Sequence, residues 1–144
     1  MSWSDTSLTG IDTNVILRYV LHDDDAQYAA AAAFLEALTP DHRGFMTEVS
    51  LVEVYWVLSR SVRLPRTQCL AILRSLIYTE ALEFDDGEGV VRALALAEEG
   101  ADFADALIEG TMGLFGTNET VTFDRDAAER LGWRLLAPAG APAA

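Results

Sequence analysis

The residues with the most chemical reach in this sequence are carboxylates. Asp12 closes a short apolar segment, Leu8–Ile11, and Asp124 directly follows Val121-Thr122-Phe123. If these segments are adjacent parallel strands, the two carboxylates meet at one sheet edge, where sites form beyond the strand C-termini. Capping of the following helix would explain either residue taken alone. Glu53 lies in VSLVEVYWVL (49–58), with Val49, Trp56 and Val57 at helical spacing around it. On an apolar face an ionised carboxylate costs several kcal/mol unless an arginine pairs with it or a cation binds it. Asp102 and Asp105 stand three residues apart on one helix face. Asp102 there suits the N-cap and Asp105 the first turn, which leaves Asp105 able to point toward the sheet edge. Glu109, one turn on, is expected to face solvent.

Gathering Asp12, Glu53, Asp105 and Asp124 without a counterion is unfavourable. Two like charges about 4 Å apart repel by roughly 4 kcal/mol at an effective dielectric of about 20. A hard divalent cation removes that penalty, and oxygen-only ligation points to Mg²⁺ or Mn²⁺ rather than zinc. The two histidines, His22 and His42, have no zinc-ligand spacing and are expected to be solvated loop residues.

The elements that must position these groups follow from composition and pattern. The chain has 144 residues, 51% of them hydrophobic, which suits one globular domain. Its net charge is −13, and all ten basic residues are arginine. That balance excludes a general basic coat for nucleic acid or anionic lipid. The absence of lysine excludes Schiff-base chemistry and a P-loop. A single cysteine, Cys69, no basic residue before Arg18 and no apolar run long enough to span a bilayer predict a soluble cytoplasmic protein.

Strands are predicted at Leu8–Ile11, Gly44–Thr47, Leu82–Phe84, Thr120–Phe123 and Trp133–Leu136. Helices are predicted at Val15–Leu21, Ala26–Leu38, Glu48–Arg60, Pro65–Thr79, Glu88–Glu99, Asp102–Phe115 and Asp126–Leu131. Asp23–Asp25 supply a cap for the second helix, and Gly100 a stop for the fifth. Short strands alternating with helices predict an α/β fold: a three-layer sandwich with a central, mostly parallel sheet flanked by helices. Residues 1–7 are expected to fray, and 137–144 (APAGAPAA) to form a flexible tail after a single domain over 1–136.

With these segments in place, Gly10-Ile11-Asp12-Thr13-Asn14-Val15 resembles the opening motif of the PIN domain family, in particular its VapC-type toxin ribonucleases. The resemblance continues through SLVEVYWVL (50–58), GADFADALI (100–108) and VTFDRDA (121–127), in order and over nearly the whole chain. It implies a metal-dependent ribonuclease whose ligands would be Asp12, Glu53, Asp105 and Asp124. Thr13, Asn14 and Thr122 would be polar support, and Asp102 and Asp126 lie in matching segments. It also implies Mg²⁺ or Mn²⁺ as cofactor, 5′-phosphate and 3′-hydroxyl products, a homodimer, and a small antitoxin that occludes the site.

Hydrolysis of a phosphodiester suits these residue types, because a metal ion generates the nucleophile without a histidine base. RNA must still be held by a chain of charge −13. Between Glu53 and Glu80 there is no acid, yet Arg60, Arg63, Arg66 and Arg74 fall there, making that stretch +4 and the remainder −17. Arg60, Arg63 and Arg66 are therefore expected to form a phosphate-binding rim, with Arg74 a solvated helix residue. Two other readings remain open at this level: a catalytically silent PIN-like binding partner, and a receiver-type phosphorylation switch. The missing lysine argues against the second.

Overall fold

The computed structural model describes residues 6–140. It is mixed α/β, with seven helices and five short strands among the described residues, and every strand pairing is parallel. The chain divides into two compact units, Met1–Val90 and Val91–Ala144.

In the first unit, β1 (Ser7–Gly10), β2 (His42–Met46) and β3 (Leu82–Phe84) form one sheet in that order. Leu8 is opposite Arg43, and Gly44 lies between Thr9 and Leu82. Gly44 is there for space: a Cβ at this position would lie 2.9 Å from Leu82 Cδ2 and 3.0 Å from Leu38 Cδ1, and nearer still to Ile11. Four helices accompany the sheet: α1 (Thr13–Leu21), α2 (Asp25–Glu36), α3 (Glu48–Trp56) and α4 (Arg66–Ile77). The chain enters α2 through Asp24, whose carboxylate accepts from Gln27 N, and α3 through Thr47, whose hydroxyl accepts from Ser50 N. Pro65 precedes α4, its fixed φ suited to a helix start. Ile16, Leu17, Met46, Leu51, Val54 and Leu73 are among the buried residues that make the core of this unit.

The predicted helix Glu48–Arg60 is regular only to Trp56; Val57–Ser61 continue it as a π-helical turn. Neither histidine is a simple solvated loop residue. His42 opens β2 and shares a 2.8 Å hydrogen bond between its Nδ1 and Ser7 Oγ. His22 ends α1 in the left-handed region and stacks on Tyr28 with 3.6 Å between ring centroids. Ser7, expected to fray, is a paired strand residue. The rest of that expectation falls largely on Met1–Asp5, outside the described residues. Of the expected tail, 137–140 lie outside helix and strand, and 141–144 are outside the described residues.

The second unit holds α6 (Phe103–Leu114), β4 (Val121–Thr122), α7 (Arg125–Leu131) and β5 (Arg134–Leu135). Most of α5 (Gly87–Glu98) belongs to it as well. Its core is built from small residues (Ala93, Ala97, Ala101, Ala106 and Ala127) around Leu94 and fully buried Phe103. Strand β4 pairs with β5. The single sheet expected from the sequence is thus two parallel sheets, one in each unit.

Candidate active site

Asp12 sits where β1 hands over to α1. Ile11 is buried and its N–H donates to Phe45 O at 2.8 Å, which fixes the chain just before the aspartate. Asp12 occupies the N-cap position with extended backbone, and its carbonyl accepts from Val15 N. Its carboxylate makes no capping hydrogen bond and is exposed. The capping role that would account for this residue is therefore not exercised. Thr13, next along, is buried; Asn14 is exposed, on an apolar groove of about 480 Å³ that Ile11, Val15 and Phe34 also line.

In the second unit four aspartates stand in two helix-start turns, Asp102 and Asp105 at α6 and Asp124 and Asp126 at α7. Asp102 is the N-cap of α6 and accepts from Asp105 N at 3.0 Å. Asp124 is the N-cap of α7, and its Oδ1 accepts from Asp126 N at 2.9 Å and Ala127 N at 3.2 Å. Thr122 sets up that turn, its hydroxyl accepting from Asp124 N at 3.0 Å. Asp126 is committed elsewhere: its carboxylate takes the Arg130 Nε at 3.0 Å, an i,i+4 pair. Asp105 is half-buried, and its pKa is raised above the usual aspartate value. Burial is the largest cause, followed by the negative charges of Asp102, Asp124 and Asp126.

Glu53 departs from its expected surroundings. Helix α3 buries Leu51, Val54 and Tyr55, and Leu58 follows in the π turn, so Val49, Glu53, Trp56 and Arg60 are turned outward. Val49 is 68% exposed and Trp56 40%. Two of the three apolar neighbours of Glu53 are thus themselves in water, with Val57 half-buried, and the exposed carboxylate carries no burial penalty that a cation must relieve. Glu109 departs too. It is half-buried, and its carboxylate accepts the indole N–H of Trp133, which gives it a structural task instead of the solvent-facing one expected.

The arginines divide by partner. The Arg60 guanidinium lies over the Trp56 ring, 5.1 Å from its centroid, and Arg74 lies at the same distance over Tyr78. Arg63 is exposed and has φ +60°, unusual for a residue with a Cβ. Arg66 opens α4 and is exposed. Trp56 is the residue of this surface that sequence reasoning missed. The signal was the i,i+4 pair Trp56/Arg60, but inside VYWVL the tryptophan reads as one more core residue.

A model of the PIN domain matches residues 11–133, a span that contains Asp12, Glu53, Asp105 and Asp124. The chain belongs to the PIN domain family. Its parallel α/β composition is consistent with a PIN-like sandwich, and the match sets aside the receiver-type reading. No curated protein matched the chain. PIN domains are generally metal-dependent nucleases. The candidate donors in this PIN domain are all carboxylate oxygens, which suit a hard cation. Among the described residues, no group of three or more His, Cys, Asp or Glu side chains is placed to hold a metal ion. No helix among them is long and apolar enough to cross a membrane.

Proposed function

We propose that this PIN domain is a Mg²⁺- or Mn²⁺-dependent endoribonuclease, the VapC-type toxin of a toxin–antitoxin pair acting in the cytoplasm. The observation that carries the reading is the family match, which spans both compact units and all four candidate carboxylates. It favours treating residues 1–136 as one functional domain. Asp12, Glu53, Asp105 and Asp124 are the proposed ligands. Asp12 is suited by its carboxylate being spared from capping, and Asp105 by its crowding with like charges.

A bound divalent cation would supply a lowered pKa for attacking water and charge stabilisation at the leaving oxygen. The chain's own residues do the positioning. Asp102 fixes the first turn of α6 that carries Asp105, and Thr122 fixes the turn that carries Asp124. Thr13 and Asn14 follow Asp12 as polar support. Arg60, Arg63 and Arg66 supply phosphate contacts in a stretch free of acid. Leu114 and Phe115, 69% and 83% exposed at the end of α6, offer apolar area for a homodimer or for the antitoxin.

The test is cleavage-end mapping on total RNA with Mg²⁺ or Mn²⁺ present. Discrete metal-dependent ends that vanish in Asp12→Asn are expected. Cleavage that persists in that variant, or in excess chelator, overturns the metal mechanism. A protein that binds RNA but never cuts it would be the catalytically silent relative.

A further inference from the structure

The outward face of α3 and its π turn has an order that the carboxylate site does not use. Val49, Glu53, Trp56 and Arg60 follow one another along it, with Arg63 shortly after. Trp56 stays 40% exposed even with the Arg60 guanidinium over its ring, and no aromatic side chain among the described residues packs on it. An indole left in water forgoes the burial that makes tryptophan valuable in a core. The π turn begins directly after Trp56 and carries Arg60; such turns inside helices are frequent at functional sites. Arg63 holds a left-handed backbone that only a few per cent of residues with a Cβ adopt.

From these features we infer that Trp56 and Arg60 form a stacking platform for an unpaired nucleobase and its phosphate, holding one nucleotide of single-stranded RNA next to Glu53. The inference rests on the ribonuclease reading and adds a substrate-positioning element to it. Charge complementarity selects the occupant. In a chain of −13, this face begins the one long stretch that has arginines and no acid. Neither Arg60 nor Arg63 forms an ion pair among the described residues. A flat aromatic face beside a guanidinium is the usual recipe for binding single strands without reading their sequence. Trp56 lies three residues after Glu53, about 4.5 Å along the helix axis, so a base stacked there brings its own backbone close to that carboxylate.

The experiment uses the full chain with Asp12→Asn, to prevent cutting, and single-stranded RNA of about ten nucleotides, the length such platforms cover. Trp56→Ala is expected to weaken binding about ten-fold or more, with Trp56→Phe keeping most of the affinity. Arg60→Ala is expected to weaken binding and flatten its salt dependence. The decisive comparison uses oligonucleotides with one abasic position moved along the strand. At one position, loss of the base should weaken binding to the Trp56 protein and leave Trp56→Ala unaffected. Thermal melts of both Trp56 variants confirm that they fold.

Equal affinity of Trp56→Ala and its parent overturns the inference, as does an abasic penalty that is the same in both proteins. Variants that leave RNA binding intact but change sedimentation of the protein alone would make this face a protein interface. If the unmutated chain cleaves RNA and Trp56→Ala is unaffected, only the platform fails. If the unmutated chain neither binds nor cleaves RNA, both readings fall.

Discussion

Replacing Asp124 by asparagine and, separately, by alanine pulls apart the two tasks assigned to that residue. Its Oδ1 accepts from Asp126 N at 2.9 Å and Ala127 N at 3.2 Å, closing the N-terminus of α7. Alanine removes both acceptor contacts, and loss of an N-cap costs about 1 kcal/mol, within a range of roughly 0.5–2. The lower half of that range applies, because Asp124 is exposed and water can take the released N–H groups. Helix α7 has seven residues and anchors itself through one buried side chain, Ala127, so little else holds its first turn. A fall in Tm of about 3 °C follows for a chain of this size. Asparagine keeps the acceptor oxygen and removes one of the negative charges that crowd Asp105. Asp124→Asn should therefore melt at or slightly above the wild-type temperature in chelator.

Cleavage should not follow that order. If Asp124 is a metal ligand, both variants lose activity by at least about 100-fold, since changes even to outer-shell partners cost 10- to 100-fold. Melting by circular dichroism in chelator, and RNA cleavage with Mg²⁺ or Mn²⁺, give the two readouts. An asparagine variant that melts as low as the alanine one refutes the capping argument. An asparagine variant that cleaves at the wild-type rate removes Asp124 from the ligand set.

Other perturbations test separate steps. The raised pKa of Asp105 means that the folded state holds its proton more tightly than the unfolded chain, so wild-type stability drops as pH climbs past the ordinary aspartate value toward the raised one. Asp105→Asn, in chelator, should then be more stable than wild type near neutrality. The gap should close as the pH falls below the ordinary aspartate value, and urea unfolding across pH that finds a constant gap would contradict it. Gly44→Val should destabilise by about 1–3 kcal/mol through overpacking against Ile11, Leu82 and Leu38, and an unchanged urea midpoint would count against that. Glu109→Ala should cost about 1–2 kcal/mol by orphaning the Trp133 indole N–H, while Glu109→Gln is tolerated. Cleavage by Glu109→Gln should match wild type; a large loss would add Glu109 to the proposed ligands.

Much of the fold was legible because its signals are local. Apolar periodicity, Asp23–Asp25 at a helix start, and Gly100 at a helix end placed most elements to within a residue or two. Where reading failed, the deciding contacts were distant in sequence. Ser7 reads as part of a polar end, but its N–H bonds to Asp41 O and its hydroxyl to His42, each more than thirty residues on. The change from α-helical to π-helical turn after Trp56 has no local marker such as glycine or proline.

The site illustrates the same limit more sharply. Asp12 and Asp124 look alike in sequence, each following a short strand and preceding a helix. In the structure one carboxylate caps its helix and the other does not. The difference is in the handover: after β4 the Thr122 hydroxyl holds Asp124 N and the turn delivers two N–H groups to its carboxylate, whereas at Asp12 the cap contact is made by the backbone carbonyl alone. Composition misjudged Glu53 for a related reason. Nine of ten residues around it are not acidic and most are apolar, but a helix needs only one buried stripe, and Leu51, Val54, Tyr55 and Leu58 already provide it. Hydrophobicity beyond that stripe is not needed by the core, and it leaves Trp56 facing outward beside an arginine.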